Sequence, residues 1–149
     1  MIEEPTIDPR VSPRRLYSVA QIIVATFVGA PIAGCLLLAH NFRALGQAKA
    51  AWHSLIWGVA STSILFVGAV WLPENFPNAA LPAGYYFAMR QVAIHFQGTS
   101  ISNHLFAGGK KCSWAATVGT GVACLVLIFG VFIAYLLVWY SVVDGEPGT

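Results

Sequence analysis

Three long stretches of this chain, residues 16–42, 50–73 and 112–143, contain no Asp, Glu, Lys or Arg. Each is longer than the roughly 20 helical residues needed to cross a hydrocarbon layer about 30 Å thick. In lipid the backbone must satisfy its own hydrogen bonds, which a helix does along its length. Of the 149 residues 57% are hydrophobic and only 9% charged, against about 25% charged in soluble domains. A soluble fold of this size could not hide so much apolar surface. The expected architecture is an all-α integral membrane protein, a single helical domain over residues 1–149.

The best-placed spans are about 19–39, 52–72 and 115–140. Trp52 and Trp71 bracket the second, and Trp114 with the Trp139–Tyr140 pair brackets the third, as interfacial aromatic belts do. The first run also has the look of a lipoprotein signal, with Arg14 and Arg15 before it and Ile32-Ala33-Gly34-Cys35 inside it. Leu36-Leu37-Leu38-Ala39 continue the apolar run past the cysteine, whereas a cleavage site ends it, so an uncleaved span is expected. Cys35, Cys112 and Cys124 have no spacing that suggests a disulfide framework or a zinc site.

Residues 81–111 break the pattern. Arg90, Gln91, His95, Gln97 and His104 crowd into this segment. Pro82 suits the first turn of a helix, Gly108-Gly109 its end, and Lys110 and Lys111 the negative end of its dipole. These signals predict a helix over about 83–107, with apolar strips interrupted by polar ones. Such an element fits an interfacial or re-entrant helix between spans 2 and 3. Gln91, His95 and Ser102 are its candidate polar pocket, and Arg90, Lys110 and Lys111 its candidate contacts to lipid headgroups or phosphate.

Charge placement favours three spans with a cytoplasmic N-terminus. Arg10, Arg14, Arg15, Arg90, Lys110 and Lys111 then lie inside, Arg43 and Lys49 outside, and the C-terminus with Asp144 and Glu146 outside, following the positive-inside tendency. A fourth span over 82–107 scores worse on the same rule. Small residues predict helix packing, with Ala25, Gly29 and Ala33 on the first span, Gly58 on the second, and Gly119 and Ala123 on the third. Pro31 predicts a kink near Ile32.

No span holds an acidic residue, Arg or Lys, which counts against coupled transport. His40 and His53 are expected near the outer face and His95 and His104 near the inner one. The first pair lacks carboxylate or cysteine support and the second can share an ion only if the helix breaks, so the metal signal is weak. No catalytic residue, metal ligand or cofactor is expected, and no nucleophile turn or phosphate loop is present.

The block Gln21-Ile22, Ala25-Thr26-Phe27, Gly29-Ala30-Pro31-Ile32-Ala33-Gly34 and Asn41-Phe42-Arg43-Ala44-Leu45-Gly46 resembles a family of small bacterial inner-membrane proteins without an assigned activity. Gln97-Gly98, Ile101, His104, Gly108-Gly109 and Ser113-Trp114 are similar to it as well. The resemblance implies a bacterial inner membrane and joins residues 41–46 and 97–114 as candidate regions, with no site residue to carry over. The expected function is that of a non-enzymatic accessory or assembly partner. The alternatives are a facilitator or channel-like oligomer lined by the polar helix, and a haem- or metal-binding subunit. Expected partners are the lipid bilayer and other membrane chains or copies of this one, not nucleic acid.

Overall fold

The computed structural model describes residues 15–71, 73, 77, 80–106 and 108–143. The expected end of the second span at 72, Ala107, Glu74 with its neighbouring Asn75 and Asn78, Arg10 and Arg14, and Asp144 and Glu146 lie outside the described residues. The described chain is helical: α1 Val19–Ala44, α2 Ala48–Val70, α3 Ala80–Ala93, a π turn Ile94–Gly98, α4 Thr99–Phe106 and α5 Trp114–Val143. Three helical stretches are long and apolar enough to cross a membrane, Val19–Ala44, Ala48–Gly68 and Trp114–Val142.

Length and apolarity do not make α1 a straight rod. Gly29 (φ −118°, ψ 28°) and Ala30 (φ 60°, ψ 179°) leave the helical region, and Pro31 follows. The Tyr17 amide donates to Asn41 Oδ1 at 2.8 Å although 24 residues separate them. An unbroken helix would hold those residues about 36 Å apart. A Cβ on Gly34 would collide with the Thr26 hydroxyl, and one on Gly29 would lie 2.8 Å from Ala33 Cβ. α1 is therefore a helical hairpin, with limb α1a (residues 19–28) running up and limb α1b (residues 31–44) running back. The single kinked span expected here is corrected to a reversal. Pro31 opens the second limb, where a missing N–H costs nothing. The next free donor, the Ile32 amide, is taken by Thr62 Oγ1 of α2 at 3.1 Å.

Both ends of the hairpin are sealed locally. Ser18 and Gln21 form a reciprocal capping box, with the Gln21 amide donating to Ser18 Oγ (3.4 Å) and the Ser18 amide to Gln21 Oε1 (2.9 Å). At the other end the Leu45, Gly46 and Gln47 amides return to Asn41, Arg43 and Phe42 carbonyls, with Gly46 at φ +79°. That left-handed conformation suits glycine and turns the chain at once into α2.

The hairpin is the hub. α2, α3 and α5 each pack against α1 and not extensively against one another. Gly121 of α5 meets limb α1a, where a Cβ would lie 3.0 Å from Val28 Cβ; a Cβ on Gly29 would in turn strike the Gly121 carbonyl. Gly58 of α2 meets limb α1b, where a Cβ would lie 2.6 Å from Cys35 Cβ. Met89 of α3 reaches Gly34, and the Gln97 side chain reaches the Leu38 carbonyl. From these registers α2 and α5 run from the base of the hairpin past its tip, while α3 runs from beyond the tip back to the base.

The segment expected as an interfacial helix over 83–107 is thus a long rod on the hairpin. Ala93 and Thr99 flank the π turn with ordinary helical angles, so pieces of 14, 5 and 8 residues join end to end, about 40 Å in all. At the base Leu16 and Lys111 form a parallel bridge, with Leu16 N donating to the Lys110 carbonyl (3.2 Å) and Cys112 N to the Leu16 carbonyl (2.9 Å). Arg15, Arg43, Lys49, Lys110 and Lys111 belong to this base end.

Candidate functional site

Three features of this frame carry polar or open surface: a buried cluster at the base, a groove between α2 and α3, and the outer face of α3.

The base cluster is built on Asn41 and Gln97, which are 0% and 1% exposed. Asn41 accepts from the Tyr17 amide and donates Nδ2 to both the Tyr17 carbonyl (2.8 Å) and Gln97 Oε1 (3.1 Å). Gln97 completes the chain by donating Nε2 to the Leu38 carbonyl (3.0 Å). The Gln21 side chain donates Nε2 to the Cys112 carbonyl at 2.8 Å, tying the hairpin base to the start of α5. Buried amides are costly unless paired, and here the pairing closes within the chain. The cluster is a clasp, with no free group to act on a substrate. It joins regions 41–46 and 97–114 through Asn41 and Gln97.

Around the clasp sit aromatic and thiol groups. His40 packs edge-on to Tyr17 at 5.2 Å and faces the Arg15 carbonyl at 3.4 Å. Burial pushes the Tyr17 hydroxyl pKa up, and the adjacent Cys112 adds to the rise. Burial also raises the Cys112 thiol, opposed by the Tyr17 hydrogen bond and the Arg15 charge. His104 is buried under the Gly109 backbone, where a Cβ would strike the ring, and its Nε2 has no hydrogen-bond partner among the described residues. Among the described residues no three His, Cys, Asp or Glu side chains group as a metal site. The division of histidines expected from sequence changes: His40 lies at the base beside Arg15, because the hairpin returns there.

The groove has a volume of about 960 Å³, with limb α1b as its floor and Leu38, Trp57, Leu65, Tyr85 and Met89 among its walls. Its serine hydroxyls are already used: Ser54 Oγ donates to the Cys35 carbonyl (3.1 Å) and Ser61 Oγ to the Trp57 carbonyl (2.7 Å). What remains is mostly apolar, with His53 and the Tyr85 hydroxyl among its other polar groups.

The expected pocket residues Gln91, His95 and Ser102 do not line this groove. Gln91 and His95 are exposed and Ser102 is half-buried, and His95 packs edge-on to Phe96 at 5.2 Å. Arg90, Lys110 and Lys111 are also exposed. Of the packing residues, Ala25, Gly29, Ala33 and Gly58 are buried, while Gly119 and Ala123 are exposed and a Cβ on Gly119 would meet nothing within 4 Å. The face of α5 buried within the chain is instead Thr117, Gly121 and Cys124, one helical stripe over from the one expected. Gln97 stands out in the sequence among the polar residues of 81–111 but not as a partner of Asn41; Asn41 and Gln21, amides at the two ends of an apolar run, were the remaining signal.

No family model, curated protein or solved structure matches this chain.

Proposed function

We propose that this chain is a non-enzymatic accessory protein of a bacterial inner membrane that assembles with other membrane helices. The observation that carries the reading is a division of polar groups. The buried side-chain amides Asn41 and Gln97 are closed on one another and on the backbone in the clasp, whereas Arg90 and Gln91 of α3 and His95 of the π turn are exposed.

In the proposed topology α2, α3 with α4, and α5 cross the bilayer, and α1 is re-entrant with both ends on the cytoplasmic side. Charge supports it. Arg43 and Lys49 join Arg15, Lys110 and Lys111 on one side, and no Lys or Arg occurs in residues 50–89 or after residue 111. A straight first span would put Arg43 and Lys49 outside; the hairpin removes that exception to the positive-inside tendency. The N-terminus is cytoplasmic and the C-terminus external.

A second reading, a facilitator-like oligomer, has the same outward residues lining a shared aqueous path. In vivo photocrosslinking from position 87 tests the two. Adducts with a different membrane protein support the accessory reading, and adducts only between copies of this chain replace it with the oligomer. Topology is tested by membrane-impermeant thiol labelling. Ser18→Cys and Gln47→Cys should react from the same side and Ser141→Cys from the opposite one; Ser18→Cys and Gln47→Cys reacting from opposite sides would restore a straight first span.

A further inference from the structure

Arg90 creates a demand that the described residues do not meet. It lies ten residues in from Ala80, about 15 Å along the helix, and seven residues before the clasp residue Gln97, about 10 Å. Its neighbour Met89 packs at Gly34, close below the hairpin tip. In the topology proposed above, on which this inference rests, that level is deep in the hydrocarbon. Arginine keeps its charge, and helical side chains lean toward the helix N-terminus, here away from the nearer headgroup layer.

Within the chain α3 and the π turn that continues it have no further side to offer. Met89, Ala93 and Gln97 are buried on the hairpin, and Leu81, Tyr85, Ala88, Val92 and Phe96 line the groove. The remaining face carries Phe87, Arg90, Gln91, Ile94 and His95, all exposed. Gln91 and His95 are one turn apart and bring further hydrogen-bonding groups beside the guanidinium.

The described residues include no carboxylate to supply the counter-charge. The chain's acidic residues are Glu3, Glu4, Asp8, Glu74, Asp144 and Glu146, so none belongs to the described helices α1–α5. A second copy would bring another Arg90 and no carboxylate on any of its described helices. We propose that the Arg90–Gln91–His95 face docks a transmembrane helix of a different protein bearing an Asp or Glu near its middle. The carboxylate accepts the guanidinium fork, with Phe87 and Ile94 packing against the flanking apolar turns.

The test uses the full chain in zwitterionic phosphatidylcholine vesicles with single-span Leu/Ala helices carrying Glu, Gln or Leu at the centre, association being read by energy transfer. The Glu helix should bind about tenfold more tightly than the Leu helix. Arg90→Gln should abolish that preference, and Arg90→Glu should transfer it to a Lys-bearing helix. Equal binding of Glu and Leu helices, or a preference that survives Arg90→Gln, overturns the docking proposal and leaves the topology standing. Labelling of Arg90→Cys by an impermeant thiol reagent as fast as Ser18→Cys, above the background of the native cysteines, overturns the topology and the docking together.

Discussion

α1 and α5 look alike as sequence and behave as opposites. Both are charge-poor apolar helical runs, of 26 and 30 residues. Yet 67% of the apolar stretch of α1 is buried against the rest of the chain, and only 6% of that of α5. The difference comes from a few residues. α1 holds a Gly-Ala-Pro break in its middle and amide side chains at its ends, so it folds back and its ends are tied by Asn41. α5 has glycines but no break, and it continues past the hairpin tip into open surroundings. Hydropathy identifies what can enter a membrane; local breaks and polar clasps decide how it folds there.

The comparison is most severely tested at the clasp. Asn41→Leu would strand the Tyr17 amide and carbonyl and Gln97 Oε1, groups that each cost about 1–3 kcal/mol when buried unpaired. A loss of about 3 kcal/mol or more is expected from unfolding in mixed micelles; a variant as stable as the parent would mean that the hairpin is not held there. Next comes the packing contrast between equal substitutions on the two helices. Gly29→Leu drives a side chain into the Gly121 carbonyl and should cost about 1–3 kcal/mol, while Gly119→Leu on the open face should stay within about 0.5 kcal/mol. Equal losses would erase the distinction between the two helices.

A smaller effect of opposite sign is expected at the turn. Ala30 occupies a backbone region that only glycine adopts freely, at a cost of order 1 kcal/mol or more. Ala30→Gly should therefore raise the unfolding midpoint, and a drop would show that the tip is not strained. The smallest effect concerns Cys112, where the hairpin base meets α5. Burial raises its thiol pKa, so at pH 8 less thiolate is present than on a free cysteine and alkylation should be slower. The Tyr17 hydrogen bond favours the thiolate. Removing it with Tyr17→Phe should shift the rate profile to still higher pH.

Much of the architecture was legible because it depends on local composition. Charge-free runs with bracketing tryptophans located α2 and α5, and Pro82 with Gly108-Gly109 located the rod from Ala80 to Phe106. Ala25, Gly29, Ala33 and Gly58 were legible as packing residues because small side chains allow close approach wherever helices meet. Which side of α5 would meet the hairpin was not, since Gly119 and Gly121 are equally small and only the docking register selects Gly121. The polar trio on the α3 segment was visible as residues but not as a face: Gln91 and His95 read as a pocket, whereas Met89, Ala93 and Gln97 take the inner side.

The sequence by itself determined that this is a helical chain suited to a bilayer, with no acidic residue in its long apolar runs. Only the tertiary structure decided that the first apolar run reverses and that a polar rod takes its place alongside α2 and α5. The physical reason is range. Helix formation and lipid compatibility are set by neighbouring residues, whereas reversal rests on hydrogen bonds between Tyr17 and Asn41, 24 positions apart, and between Asn41 and Gln97, 56 apart.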